Sequence, residues 1–458
     1  MNLKHYSYVA LAAVAFLFAA QAAFAGGAKE KPSAAASSSM AATAATAATG
    51  GTLTFWNMPF NTQEVSPSYV KSFEQNATTA LPNYKLSHFF GPGGYTAMRQ
   101  KFLVQATSGT PDVIEGLLED VPVYAQKGDI APLNSFFNSW SQKSEFEKST
   151  LAPMTINGKL YGLPYNTNAR GLIYRTDVLA KYNLPVPKTW SDLINEARTI
   201  TKDSNKSMYG LFLCTKVNDP RSPQEFISWY YEVSNGKHMF DVSGSNVTFN
   251  GTVNQFDKIL TLYKEAFSGS DPAVNPAVRG AGWPTEDPGY ASGKWAMAPE
   301  GPWLWGRRSG DPTAATNLDH SKIAPLPVPQ GGGQFTYLEV KPIMMNAYAK
   351  NKAGAWKLMQ YITSAKEMAG WDASSGGIPT RKDALAMPVF QGALGKWDAM
   401  FAANIPDGIA QAPVNWGPVA TAEMRAVDYV VYGQKTPHAA AQWLYSKIKG
   451  IISAGQIL

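Results

Sequence analysis

The chain reads as an α/β protein in two lobes, each a mostly parallel sheet flanked by helices. Three observations predict this. The chain has 458 residues, more than one core fills, because single cores stop growing at about 250–300 residues. Hydrophobic residues make up 45% and charged residues 16%, a folded composition, neither disordered nor fibrous. The start of the body then alternates strand and helix patterns as β-α-β-α-β, the order that winds a parallel sheet.

The elements follow in order. Lys4 precedes an apolar run from Val9 to Ala25, broken only by Gln21 and ending in Ala23-Phe24-Ala25. This reads as a secretory signal peptide, residues 1–25, cleaved after Ala25. The alternative is an uncleaved anchor, since the run is at the lower edge of spanning length. No cysteine stands directly after it, so no lipidated cysteine is expected, and no other run is long enough for a multi-span membrane protein. Residues 26–50 are Ala, Ser, Thr and Gly around Lys29-Glu30-Lys31. With nothing large to bury, they read as a flexible tether.

Thr52 to Trp56 alternates polar and apolar, a strand. Val65, Tyr69, Val70 and Phe73 fall at helical spacing, and Tyr84 to Phe90 reads as a second strand. Tyr95, Met98, Phe102 and Ala106 mark a helix stopped by Ser108-Gly109, and Asp112-Val113-Ile114 is a third strand. Ligands of such sheets bind beyond the carboxyl ends of the strands, which selects the loops 57–62, 91–95 and 115–120. Further on, Thr189-Trp190-Ser191-Asp192 has the form of a capping box before the helical face Leu193, Ile194, Ala197, Ile200. Thr436-Pro437 opens a last helix with the stripe Ala440, Leu444, Ile448, Ile451.

Several chemistries are excluded. The single cysteine, Cys214, allows no intramolecular disulfide or cysteine cluster and reads as a small buried filler. Five scattered histidines have no metal-ligand spacing, so no metal or cofactor is expected. There is no G-x-S-x-G. Gly91-Pro92-Gly93-Gly94 lacks the spacing of a dinucleotide loop, and Gly289 to Trp295 is one residue short of a phosphate loop, with Trp where a hydroxyl is needed. A net charge of +6 without a basic run gives no reason to expect nucleic acid.

Five ordered segments then resemble the extracellular solute-binding proteins of bacterial ABC importers, in the carbohydrate-binding branch related to maltose-binding protein. They are Gly109-Thr110-Pro111-Asp112-Val113 with Tyr124-Ala125-Gln126-Lys127-Gly128; Asn157-Gly158-Lys159-Leu160-Tyr161-Gly162 leading to Leu172-Ile173-Tyr174-Arg175; Pro187-Lys188-Thr189-Trp190; Gly293-Lys294-Trp295 running to Glu300-Gly301-Pro302-Trp303; and Gly376-Gly377-Ile378-Pro379-Thr380-Arg381. The resemblance implies the two-lobed periplasmic-binding-protein fold, joined by a multi-segment hinge and closing like a clamp. Carried over, lobe one is 51–166 plus 343–376 and lobe two 167–342 plus 377–458. The second crossing departs from the family's Gly pair, carrying Tyr337-Leu338-Glu339-Val340-Lys341 instead.

A sugar site needs aromatic plates for flat apolar faces and polar groups for hydroxyls. By resemblance, Trp303 matches the family's stacking Trp in Gly-Pro-Trp, and Glu119 falls where the family has a carboxylate that accepts two hydroxyls. Asp120 stands where the family can carry a basic residue. For Glu119 and Asp120 the competing role is a solvated loop or helix cap. Trp56 and Trp416 fit cleft walls or core positions equally well. Trp283 lies in a Gly-rich loop, where a large apolar side chain wants a reason. Asn168 and Arg170 lie at the first crossing, and Arg170 serves either the ligand or an inter-lobe ion pair. Tyr95 opens the second helix, within reach of the expected cleft.

The expected function is non-enzymatic: a periplasmic monomer captures a carbohydrate, an oligosaccharide given the aromatic content, and passes it to the membrane permease subunits of the importer. A secreted carbohydrate-active enzyme, or a binder of a polyol or glycerol-phosphate-type solute, stands as the alternative.

Overall fold

The computed structural model describes residues 50–57, 67–90, 94–244, 246–309 and 312–457. The signal, most of the tether, and the loop tips 58–62 and 91–93 lie outside them. In chain order come β1 (Gly51–Asn57), α1 (Pro67–Ala80), β2 (Tyr84–Phe90), α2 (Gly94–Gln105), β3 (Val113–Glu115) and α3 (Asp120–Lys127), the expected alternation. Then follow β4 (Gly162–Ala169), β5 (Gly171–Arg175), α4 (Trp190–Asp203), β6 (Tyr209–Leu211), α5 (Arg221–Ser234), β7 (Trp295–Glu300), β8 (Ser321–Ala324) and β9 (Thr336–Met345). The chain ends through α6 (Ala365–Ser375), β10 (Ile378–Pro379), α7 (Ala393–Ala402), β11 (Gly408–Ile409), α8 (Gly417–Val431) and α9 (Pro437–Ser453), among shorter elements.

Two sheets organise the molecule. One has the order β10-β4-β9-β3-β1-β2, with β11 beside β9; the other is β8-β5-β7-β6. Strand β1 pairs β2 and β3 in parallel, as the β-α-β-α-β reading requires. Elsewhere the sheets are more mixed than expected: β9 runs antiparallel to both β3 and β4, and β5 runs antiparallel to both β7 and β8. The reason is topological. Strand β4 carries the chain away from the first sheet and β9 brings it back, so the two traverse that sheet in opposite senses.

Each sheet has its own core. Leu53, Phe55, Phe102, Val113, Tyr165 and Met344 belong to the first. Leu172, Ile194, Phe226, Tyr263, Tyr337 and Leu444 belong to the second. The chain changes core between Ala169 and Leu172, and again between Tyr337 and Leu338. These two passages lie side by side, because Ala169 is the register partner of Leu338.

Local signals hold where they were strongest. The Thr189 hydroxyl accepts from the Asp192 N–H while the Asp192 carboxylate accepts from the Thr189 N–H, a closed capping box. The Thr436 side chain accepts from the Ala439 N–H at the head of α9, whose stripe Ala440, Leu444, Ile448, Ile451 is buried. Cys214 is fully buried and its Sγ donates to Glu286 Oε2 at 3.1 Å.

Candidate functional site

A cavity of about 450 Å³ lies between the two halves. The first half contributes Arg99 from α2 and Glu119, Asp120 and Val123 at the head of α3; the second contributes residues 218–224 and 411–424. Three helices, α3, α5 and α8, present their N-terminal ends there, where unpaired N–H groups and the helix dipole favour acceptors and negative charge.

Asp120 is the first residue of α3 and is spent on structure. Its Oδ2 accepts from the Leu117 N–H at 2.9 Å, and its Oδ1 takes the Arg99 guanidinium. Glu119 is different: its Oε2 is shielded from solvent and has no hydrogen-bond partner among the described residues. Burial pushes its carboxyl up to about 7, and the neighbouring Asp120 adds to the rise. Across the cavity, Asp219 Oδ1 accepts from the Arg221 N–H at 3.0 Å, at the head of α5. Gly282 is needed opposite it, since a Cβ there would run into the Asp219 carboxylate. Trp416 lines the cavity just before α8, 4% exposed, with Nε1 donating to the Ala412 carbonyl at 2.9 Å and Phe240 edge-on at 5.2 Å.

At the point where the chain changes core sits a second polar cluster. Arg170 donates to Asn168 Oδ1 at 2.6 Å and to Gln224 Oε1, and lies 3.4 Å from Glu339 Oε2. Asn168 Nδ2 donates to the same Glu339 oxygen at 2.9 Å. Burial alone would raise the Glu339 carboxyl, but Lys341 and Arg170 hold it below its ordinary value. The bulky Tyr337–Lys341 stretch is therefore where an ion-pair network joins β4 to β9. Gln224 links this network to the cavity wall.

Trp303 is not an open plate in this structure. It is 8% exposed, with the Arg170 guanidinium 4.4 Å from its ring centroid and that of Arg221 also at 4.4 Å. Arg221 Nη1 in turn meets Glu286 at 3.0 Å, Asp287 at 2.5 Å and Glu300 at 3.2 Å, all buried. Those carboxylates are close enough to surround an ion, but the Arg221 nitrogen stands where they converge.

The remaining candidates sit elsewhere. Trp56 is 5% exposed at the end of β1, tilted against Phe89 with Lys101 over its ring at 4.6 Å, a core-side position. Trp283 is half-buried at the head of a short helix, 5.8 Å from Arg307. Tyr95 is in the first turn of α2, with its side chain outside the described set. The structure thus brings Glu119, Asp120 and Trp416 to one cavity, places Asn168 and Arg170 at the adjoining passage, and leaves Trp56 and Trp283 off the cavity's lining. Sequence reasoning missed Gln224, Arg221 and Gln411. Gln411, 7% exposed, lines the cavity with its Oε1 unpartnered among the described residues. The only signal for Gln224 and Arg221 was their place in the first turn of a helix.

Known proteins agree with this architecture. Residues 66–369 match the family described as bacterial extracellular solute-binding protein. A putative binding protein of Brucella abortus (strain 2308) is 25% identical over 356 residues, covering 75% of this chain and 82% of the relative. A probable ABC transporter-binding protein of Deinococcus radiodurans is 30% identical over 254 residues, covering 52% and 57%. Among solved structures, the GacH receptor of Streptomyces glaucescens, described unliganded and with acarbose, superposes with a TM-score of 0.75 at 20% identity over 88% of this chain and 99% of that one. Maltose-bound MalE3 of T. maritima gives a TM-score of 0.74 at 18% identity over 88% and 100%. These likenesses establish the two-lobed fold. With the family matched across most of the body, the chain belongs to the bacterial extracellular solute-binding proteins.

Proposed function

We propose that the chain captures a carbohydrate, an oligosaccharide, outside the cytoplasmic membrane and delivers it to an ABC importer without changing it chemically. The observation that carries this is the cavity between the halves, where the Glu119 carboxylate of one lobe stands unpartnered and Trp416 of the other forms part of the wall. A buried acceptor without a donor costs about 1–3 kcal/mol, and a hydroxylated guest relieves that cost. An indole beside it suits the apolar face of a sugar ring. The solutes bound by two of the similar structures, acarbose and maltose, are of this class.

Capture works by differential contact. A ligand that touches both α3 and the 411–424 segment stabilises the arrangement in which the lobes face each other. The side-by-side passages at Ala169–Leu172 and Tyr337–Leu338 act as the hinge, with Arg170 and Glu339 beside them. The permease subunits of the importer then receive the solute from the closed form.

The test is a thermal-shift screen of the purified protein against maltose, maltotriose, cellobiose, tagatose, sugar alcohols and glycerol phosphates, followed by calorimetry. A ligand at about 100 times its Kd stabilises by about 2.7 kcal/mol, read as a rise of a few degrees. Absence of both shift and heat with every saccharide overturns the carbohydrate reading. A response only to sugar alcohols or glycerol phosphates replaces the carbohydrate with that solute.

A further inference from the structure

We propose that Gln224 is a binding and positioning residue of this site: its side-chain nitrogen donates to an oxygen of the captured solute while its side-chain oxygen holds Arg170, so one amide joins the guest to both passages between the cores. The inference rests on carbohydrate capture in this cavity and adds the residue through which the passages respond to it.

Chemistry fixes which way the amide points. A guanidinium donates and never accepts. Gln224 Oε1 takes the Arg170 Nη2, so the nitrogen, with its two N–H groups, lies on the side away from Arg170. That nitrogen has no hydrogen bond among the described residues and is not one of the orphan atoms shut off from solvent. Gln224 lines the cavity and keeps 3% of its surface exposed, so the open end of the amide is presented there. A sugar hydroxyl or ring oxygen supplies the acceptor it lacks.

Behind the amide, hydrogen bonds close a ring through both passages. The Gln224 side chain meets Arg170; the Arg170 N–H donates to the Tyr337 carbonyl at 3.4 Å; the Tyr337 N–H donates to Ser228 Oγ at 3.2 Å; and the Ser228 hydroxyl donates to the Gln224 carbonyl at 2.9 Å. Of these four residues, Gln224 is the one that lines the cavity. The Arg170 guanidinium is incompletely held without it. Its Nε is shielded with no partner among the described residues, and Glu339 Oε2 lies 3.4 Å away, against about 2.7–2.9 Å for a good charge-assisted bond. Hydrogen bonds in a chain polarise one another. A bond made by the guest at the Gln224 nitrogen therefore tightens the one at its oxygen, and with it the contact between the first turn of α5 and β9.

The test titrates maltose, maltotriose, cellobiose and tagatose into the full secreted chain by calorimetry. It also follows hydrogen exchange at residues 336–340, by mass spectrometry, with and without saturating sugar. The wild-type chain is expected to bind at least one of the four and, when bound, to exchange there at least about threefold more slowly. Gln224→Glu keeps an acceptor for Arg170 and removes both donors. It is expected to raise Kd for that sugar about tenfold, to lose at least half of the slowing at saturating sugar, and to keep the ligand-free melting temperature within about 2 °C. Gln224→Met removes acceptor and donors together; it carries the same expectation for Kd and exchange and serves if the Glu variant fails to fold. A Kd within about twofold of wild type, or full slowing at residues 336–340 in the sugar-saturated variant, overturns the inference and leaves carbohydrate capture standing. Binding of no saccharide by the wild-type chain overturns both.

Discussion

Two tryptophans on the second half of the molecule, Trp303 and Trp416, are both largely buried, 8% and 4% exposed, and differ in what packs on them. Trp303 carries the sequence motif, yet the guanidinium groups of Arg170 and Arg221 each lie 4.4 Å from its ring centroid. Trp416 matches no strict motif, yet it lines the inter-lobe cavity, backed edge-on by Phe240. A ring serves a ligand only where something else has not already stacked on it. At Trp303 the stack is held from behind: Arg221 by three buried carboxylates, Arg170 by Asn168, Gln224 and Glu339. In this structure Trp303 therefore joins the hinge network to the second half, and Trp416 is the indole at the cavity.

The largest expected effect follows from that contrast. Trp303→Ala leaves two guanidinium groups facing a void, and urea unfolding should show a loss of about 3–5 kcal/mol. An unchanged unfolding midpoint together with abolished sugar binding would reverse the comparison and make Trp303 the plate. Next comes Trp416→Ala. Losing a buried aromatic contact with the ligand should cost about 1.5–3 kcal/mol of binding, seen in calorimetry as a roughly 10- to 100-fold rise in Kd. Affinity within twofold of wild type would remove Trp416 from the site.

Glu119 sharpens the same side of the contrast. Its carboxyl is raised from 4.5 to about 7 in the ligand-free protein. Sugar hydroxyls donate to the charged form, so binding releases a proton and affinity should rise with pH, by up to about tenfold per unit below about pH 6, levelling above 7. In the absence of ligand the sign is opposite for stability: the folded state holds this proton more tightly than the unfolded chain, so the contribution is present at low pH and lost as pH rises through 7. Glu119→Gln should flatten the affinity profile; a profile as steep as wild type would point to another group. The smallest effect is expected at Phe240. Phe240→Leu removes the edge contact behind Trp416, worth about 0.5–1.5 kcal/mol, and should raise Kd between about two- and tenfold; an equal effect on a protein already carrying Trp416→Ala would show that Phe240 does not act through the indole.

Much of the scaffold was legible because its signals are local. Strand β1 alternates, Thr189 and Asp192 lie three residues apart, and the α9 stripe repeats at helical spacing, so each reads from a few neighbouring residues. Glu119 and Trp416 could be nominated through flanking motifs. Gln411 could not: it sits in a plain Ala-Gln-Ala-Pro stretch, and only the fold sets it in the same cavity as a carboxylate from far upstream. The occupation of Trp303 was hidden for the same reason, since Arg170 and Arg221 come to it from distant parts of the sequence. The mixed sheets were equally non-local, because pairing of β4 with β9 depends on where a distant segment returns.

That returning segment has one more consequence. β9 is hydrogen-bonded to both β3 and β4, at the centre of the first sheet, and Trp356, Met359 and Trp371 complete the core beneath it. The amino-terminal half thus cannot complete its sheet and core from its own residues alone; it waits for residues 336–371. Long-range closure of this kind slows folding. Slow closure of this kind lengthens the time in which a newly made chain has not yet reached its folded form.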